Sequence, residues 1–211
     1  MKVLVLGSRI PYPMHDGGAK TSYQLLQILN DLNHEVTFFS FNTKKHFASA
    51  QVLEDKFSFC RVITHYLDGS INPYRALGSL IAGKSYNLSR FNSAAANNEL
   101  KKLLEEETFD VVHFESLFTI PFLKIVQENH KGPLLLRQHN AENKIWYTLA
   151  KSSRGLKKRY ISALAKQLKK EEEISLPKFN AIIGISQEDT DYFKRFNKNA
   201  SYISVAQEQH T

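Results

Sequence analysis

Short apolar runs alternate with stretches of helical spacing along the whole chain, and this alternation constrains the fold more than any other feature. Lys2 to Gly7 is a buried-strand pattern of Val and Leu ending in Gly. Lys20 to Leu32 then carries Tyr23, Leu25, Leu26, Ile28, Leu29 and Leu32 at helical spacing. Asn33-His34 ends that helix, and Glu35 to Phe41 is the next strand. The unit recurs. Strands are expected at Cys60 to His65, Asp110 to Phe114, Pro133 to Arg137, Ala181 to Ile185 and Ser201 to Val205. Helices are expected at Ser49 to Lys56, Pro73 to Ala82, Ser93 to Glu107, Ile120 to Glu128, Glu142 to Ala150 and Leu156 to Leu176, with another beginning at Ser186. Ser186 and Asp189 have capping-box spacing. Strands joined through helices predict an α/β fold, a doubly wound and mostly parallel sheet of the Rossmann-like kind.

A chain of 211 residues fits one such domain with a full core, and no Pro/Gly/Ser-rich linker divides it. Cys60 is the single cysteine, which excludes an internal disulfide framework and points to a reducing compartment. The apolar run at Met1 to Gly7 is too short for a signal peptide, and no segment approaches the roughly 20 apolar residues of a membrane span. A cytoplasmic location is expected.

In an open parallel sheet, ligands bind where strand ends lead into helices. Ser8 to Gly18 is long for a strand-to-helix loop and ends in Asp16-Gly17-Gly18. Two glycines at a helix start let backbone amides approach an anion; a plain turn with Asp16 as helix cap explains the same residues. Neither G-x-G-x-x-G nor a P-loop is present. His113 lies in Val111-Val112-His113-Phe114-Glu115-Ser116 and could face the crevice, but a lone strand histidine is more often a satisfied core residue, the reading favoured for it. Arg137-Gln138-His139-Asn140-Ala141-Glu142 is a polar run directly after a buried strand. Capping by Asn140, with Glu142 near the positive helix end, explains two of these and leaves Arg137 and His139 over. His139, Asn140 and Glu142 could all reach hydroxyls or phosphate in the crevice. Capping suffices to explain the Ser186 loop. No metal-ligand spacing and no nucleophile pair is evident.

The net charge of +7 suits an anionic partner or plain solubility. Lys157, Lys158, Arg159, Lys166, Lys169 and Lys170 interleave with Tyr160, Ile161, Leu164 and Leu168 on one predicted helix. Such a helix can lie on an anionic membrane, or its apolar stripe can pack on the sheet with a solvated basic face. Glu171-Glu172-Glu173 favours the second, through i,i+4 pairing with lysines such as Lys169. Nucleic acid fits poorly, because the aromatics sit at core positions.

The opening strand, Pro11-Tyr12-Pro13, Asp16-Gly17-Gly18, the Leu-rich helix and Asn33-His34-Glu35-Val36-Thr37 together resemble the start of GT-B glycosyltransferases of the family-4 type. So do Phe109-Asp110-Val111-Val112-His113, His139-Asn140-x-Glu142 followed by Ile145-Trp146, and Ile183-Gly184-Ile185-Ser186, in the family's order. The resemblance spans the chain. It implies a single Rossmann-like domain, the N-terminal acceptor-side half of a two-domain enzyme whose C-terminal half holds a nucleotide-sugar donor. It further implies retaining, metal-independent transfer to a glycan or lipid-linked acceptor, with no cofactor beyond the donor. Gly17 and Gly18 would approach the donor phosphates, Asp16 would lie near the acceptor, and His139 beside the transferred sugar; Arg137 and Glu142 receive no transferred role. The family's second domain is not in this sequence, so the chain alone is expected to be inactive. A stand-alone Rossmann-like ligand-binding domain and half of a nonhydrolysing sugar-nucleotide epimerase are the alternatives, and a phosphoacceptor receiver is disfavoured for want of an acidic pocket.

Overall fold

The computed structural model describes residues 1–70 and 85–204, with 74, 78, 79 and 83 between them. Seven strands form one sheet: β1 (Lys2–Gly7), β2 (Glu35–Thr43), β3 (Arg61–Leu67), β4 (Val111–Glu115), β5 (Leu134–Gln138), β6 (Ala181–Gly184) and β7 (Ala200–Tyr202). Their order is β3-β2-β1-β4-β5-β6-β7 and all six pairings are parallel. The described helices are α1 (Gly17–Asp31), α2 (Ala50–Lys56), α3 (Tyr86–Ser89), α4 (Ala94–Glu106), α5 (Leu123–Asn129), α6 (Glu142–Ser152), α7 (Gly155–Ser175) and α8 (Gln187–Phe193). This is the doubly wound, Rossmann-like α/β sheet that the alternation predicts.

Parallel strands are covered on both faces, so successive side chains enter two separate cores. Val3, Val5 and Val111 pack with Tyr23, Leu26, Phe38 and Phe57 on the α1 side. Leu4, Leu6, Val112, Phe114, Leu136 and Ile182 pack with Leu100, Phe122, Val126 and Phe193 on the other. Gly184 lets α8 approach β6: a Cβ there would lie 2.2 Å from the Thr190 hydroxyl.

Several boundaries differ from the sequence reading, for identifiable reasons. Helix α1 begins at the two glycines, three residues before the apolar periodicity, because the Asp16 carboxylate caps it through the Ala19 amide at 2.8 Å. It ends where Asn33 takes a left-handed φ of 58°, which asparagine tolerates. Ser49 and Ser93 are caps outside their helices rather than first residues, while Ser186 caps its helix through the Asp189 amide as its spacing predicts. The helix expected from Ile120 instead starts as a 3-10 turn, Leu117–Phe122, with Pro121 inside it, and becomes α-helical at Leu123. β4 runs one residue further than expected, to Glu115. The helix expected at 73–82 falls mostly outside the described residues, as does the end of the strand expected at 201–205.

Candidate active site

Parallel β1 feeds α1 and then β2 on one side, while β4 lies on the other, so the sheet changes direction between β1 and β4. That is where ligands bind in such folds. A cavity of about 760 Å³ opens there, lined by Gly7, Gly17, Gly18, Glu115, Ser116, His139, Asn140 and Glu142 among others.

The register places one carboxylate at its centre. Gly7 pairs with Glu115, and Glu115 with Arg137. Side chains alternate with period two, so His113 shares a face with Glu115. The Arg137 guanidinium clasps Glu115, its Nε 2.9 Å from Oε2 and its Nη2 on Oε1. His113 Nε2 lies 3.0 Å from Oε2 and His139 Nε2 3.0 Å from Oε1. From α1, the Ser22 hydroxyl donates to Oε1 at 2.8 Å. Glu115 is 5% exposed. Burial alone would raise its carboxyl, but hydrogen bonds from His113 and His139 and the charge of Arg137 hold it well below the usual range. An ionised carboxylate only accepts, so both imidazoles donate from Nε2; in a neutral His139 ring, Nδ1 is then an acceptor. No bond to that Nδ1 occurs among the described residues.

The next residue, Ser116, has a φ of 101°, rare for a residue with a side chain and costing on the order of 1–3 kcal/mol. It is held by hydrogen bonds from its amide to the Arg137 carbonyl and from the Thr119 hydroxyl to its own carbonyl. The Gln138 side chain accepts from the Leu117 amide at 2.7 Å, fixing the turn behind it.

Gly17 and Gly18 open α1 against the cavity. A Cβ on Gly17 would meet nothing within 4 Å; on Gly18 it would lie 3.2 Å from the Asp16 carboxylate. Neither residue needs glycine for a left-handed backbone. Asp16 is committed elsewhere. Its Oδ1 takes the Ala19 amide and the Arg9 guanidinium at 2.6 Å, and the Arg9 hydrogen bond above all lowers the carboxyl to about 2. Arg9 in turn reaches His46, whose pKa is lowered by burial and by that cation. Asn42 pins the loop after β2 by exchanging hydrogen bonds with the Ala48 backbone, which brings Lys45 and His46 to the cavity.

Asn140 is exposed and caps nothing: the N-cap of α6 is Ala141, with no side-chain bond. The capping account of Asn140 is therefore corrected. Glu142 lines the cavity, and burial together with the charges of Glu172 and Asp189 raises its carboxyl to about 7. Glu172 is also corrected. Within a Glu run it reads as a solvated partner for lysine, yet it is fully buried, accepting from the Asn143 side chain and from the Tyr192 hydroxyl at 3.1 Å. Only Glu173 makes the expected pair, with Lys169 at 3.6 Å. Burial raises the Glu172 carboxyl despite those donors.

The structure thus brings Gly17, Gly18, His139, Asn140 and Glu142 to one cavity, uses Arg137 to hold the carboxylate beneath it, and ties Asp16 into the helix cap. His113 is buried, as a core histidine would be, but is bonded to Glu115. Glu115 itself is the residue that sequence reasoning missed. Its one signal was the period-two relation to His113. Among the described residues, no three His, Cys, Asp or Glu side chains gather where a metal could be held. No helix described is long and apolar enough to cross a membrane.

The sequence matches Glycosyltransferase Family 4 over residues 15–206. No curated protein matches it. Among solved structures, sucrose-phosphate synthase from Thermosynechococcus elongatus superposes with a TM-score of 0.60 at 14% identity, covering 97% of this chain and 47% of that one. Arabidopsis thaliana UGT89C1 complexed with UDP-L-rhamnose gives 0.53 at 13% identity, over 97% of this chain and 48% of that one. UDP-glucose: anthocyanidin 3-O-glucosyltransferase in complex with UDP gives 0.50 at 13%, over 99% and 54%. The chain spans about half the length of these structures. Those likenesses concern the fold; the match over nearly the whole sequence decides the family, and the chain belongs to Glycosyltransferase Family 4.

Proposed function

We propose that this chain forms the acceptor-side half of a two-domain glycosyltransferase that takes a sugar from a nucleotide-sugar donor, retains its configuration, and delivers it to a glycan or lipid-linked acceptor for a cell-surface product. The observation that carries the reading is the cavity at the β1/β4 switch, where a helix N-terminus opening with two glycines faces the His139–Glu115 pair. Support for a nucleotide-sugar comes from the UDP and UDP-L-rhamnose held by two of the similar structures.

In this reading the donor and the second cleft wall belong to a further domain. The Gly17 and Gly18 amides, at the positive end of α1, offset charge on the departing diphosphate. No metal or other cofactor is invoked for that task. His139, with Nε2 committed to Glu115, accepts a hydrogen bond from a sugar hydroxyl at Nδ1 and so fixes the ring at the reacting centre. Arg137 is a positioning residue, acting through Glu115. Glu142, kept partly protonated near neutrality, can donate to or accept from an acceptor hydroxyl.

The test is transfer of label from a nucleotide-sugar into a membrane-lipid or polysaccharide fraction. The two-domain protein is expected to label one fraction, and the 211-residue chain alone neither, since half the cleft is then missing. Label transferred by the chain alone would contradict the two-domain reading, and epimerised free donor in place of labelled acceptor would replace it with the epimerase.

A further inference from the structure

The chain's positive charge is not spread over its surface. Residues 143–170 hold nine lysines and arginines and no aspartate or glutamate, against +7 for the whole chain, so the remainder is net negative. That segment is the hairpin of α6 and α7.

Its two ends differ. From its seventh residue onward α7 buries Ile161, Leu164, Ala165 and Leu168, as a helix packed on the domain requires. The tip is exposed. Every residue from 154 to 160 is exposed. Leu156 is 82% exposed and Tyr160, one turn on, 37%; on α6, Ile145 and Leu149, also one turn apart, are 47% and 45% exposed. Lys151, Arg154, Lys157, Lys158 and Arg159 lie between and beside Leu149, Leu156 and Tyr160 along the chain and form no ion pair among the described residues. Lys144 and Lys169, farther from the tip, do pair with carboxylates.

The placement is costly to the isolated protein. Lys157, Lys158 and Arg159 occupy the first turns of α7, whose dipole repels cations, and no acid or side-chain cap offsets them. Leucines beside unpaired cations at the free end of a hairpin match an interface that is anionic above and apolar below. We infer that the α6–α7 tip docks this domain on an anionic bilayer, Leu149, Leu156 and Tyr160 entering the headgroup region while Lys151, Arg154, Lys157, Lys158 and Arg159 meet lipid phosphates. Helix α6 starts at Glu142 on the cavity wall and runs about 16 Å to the tip, at 1.5 Å per residue. Docking holds the cavity within that reach of the headgroups, which favours the lipid-linked acceptor of the two classes named above.

Co-sedimentation of the 211-residue chain with vesicles tests this. The chain is expected to bind vesicles of phosphatidylcholine mixed equally with phosphatidylglycerol, to ignore phosphatidylcholine alone, and to release as salt rises. Replacing Lys157→Gln, Lys158→Gln and Arg159→Gln together is expected to weaken binding on the order of 100-fold. Leu156→Ser, at a site too exposed to threaten folding, is expected to weaken it as well. Equal binding to both vesicle types, or binding unchanged in the triple variant, would overturn the inference. So would retention on heparin without vesicle binding, or a dimer in solution that Leu156→Ser dissociates. No donor is present in this measurement, so its failure leaves the reading of the cavity standing, and a failure of sugar transfer leaves vesicle binding standing.

Discussion

Glu115 organises the site residue by residue. Four side chains, Ser22, His113, Arg137 and His139, converge on one buried carboxylate. Removing one partner of a buried, hydrogen-bonded pair leaves the other charge uncompensated, which costs about 3–5 kcal/mol. Glu115→Ala is therefore expected to lower the unfolding free energy by about that amount, read from denaturant midpoints; a loss under about 1 kcal/mol would place the carboxylate outside the fold's support. Its stabilising contribution is present above the ordinary carboxylate range and is lost as acid brings the pH down through its depressed folded value. Glu142 behaves in the opposite sense. Its carboxyl rises from 4.5 in the unfolded chain to about 7. Between those values the folded state binds more protons, so stability falls as pH rises across the window. Glu142→Gln is expected to flatten that decline in melting temperature between about pH 4.5 and pH 7. An unaltered slope would assign the decline to Glu172 alone.

Among the elements, the start of α1 decides between the two readings of the glycine pair. A turn that needed glycine would show a left-handed φ or a clash at Cβ, and Gly17 has neither. Gly17→Ala adds a methyl into open space at the cavity wall, and alanine is the better helix former by up to about 1 kcal/mol. The variant is expected to melt at the same temperature or higher while transferring sugar at least tenfold more slowly. A stable variant with full activity would reduce the pair to a turn.

For the whole molecule, the sheet was legible because parallel strands are buried on both faces and read as apolar runs such as Val3 to Leu6. Gly17, Gly18, His139, Asn140 and Glu142 were legible as polar or glycine residues with too little packing to explain them. Glu115 was not, because only register across β4 and β5 joins it to Arg137, and spacing in sequence carries no register. Glu172 was misread for a related reason: neither Glu171 nor Glu173 beside it is buried, and one position per helical turn decides burial. The basic hairpin showed its charge in sequence, while the exposed tip shows only in the structure, where α7 buries side chains from Ile161 onward and none before it.

The proposed function puts sugar transfer over His139. The direct measurement is the initial rate of label transfer by the two-domain protein, wild type against His139→Ala, with unfolding midpoints taken in parallel. His139 is half-buried and, among the described residues, its ring bonds Glu115 alone, so the midpoint is expected to move little. The rate is expected to fall on the order of 100-fold. An undiminished rate in a folded His139→Ala protein would contradict the account.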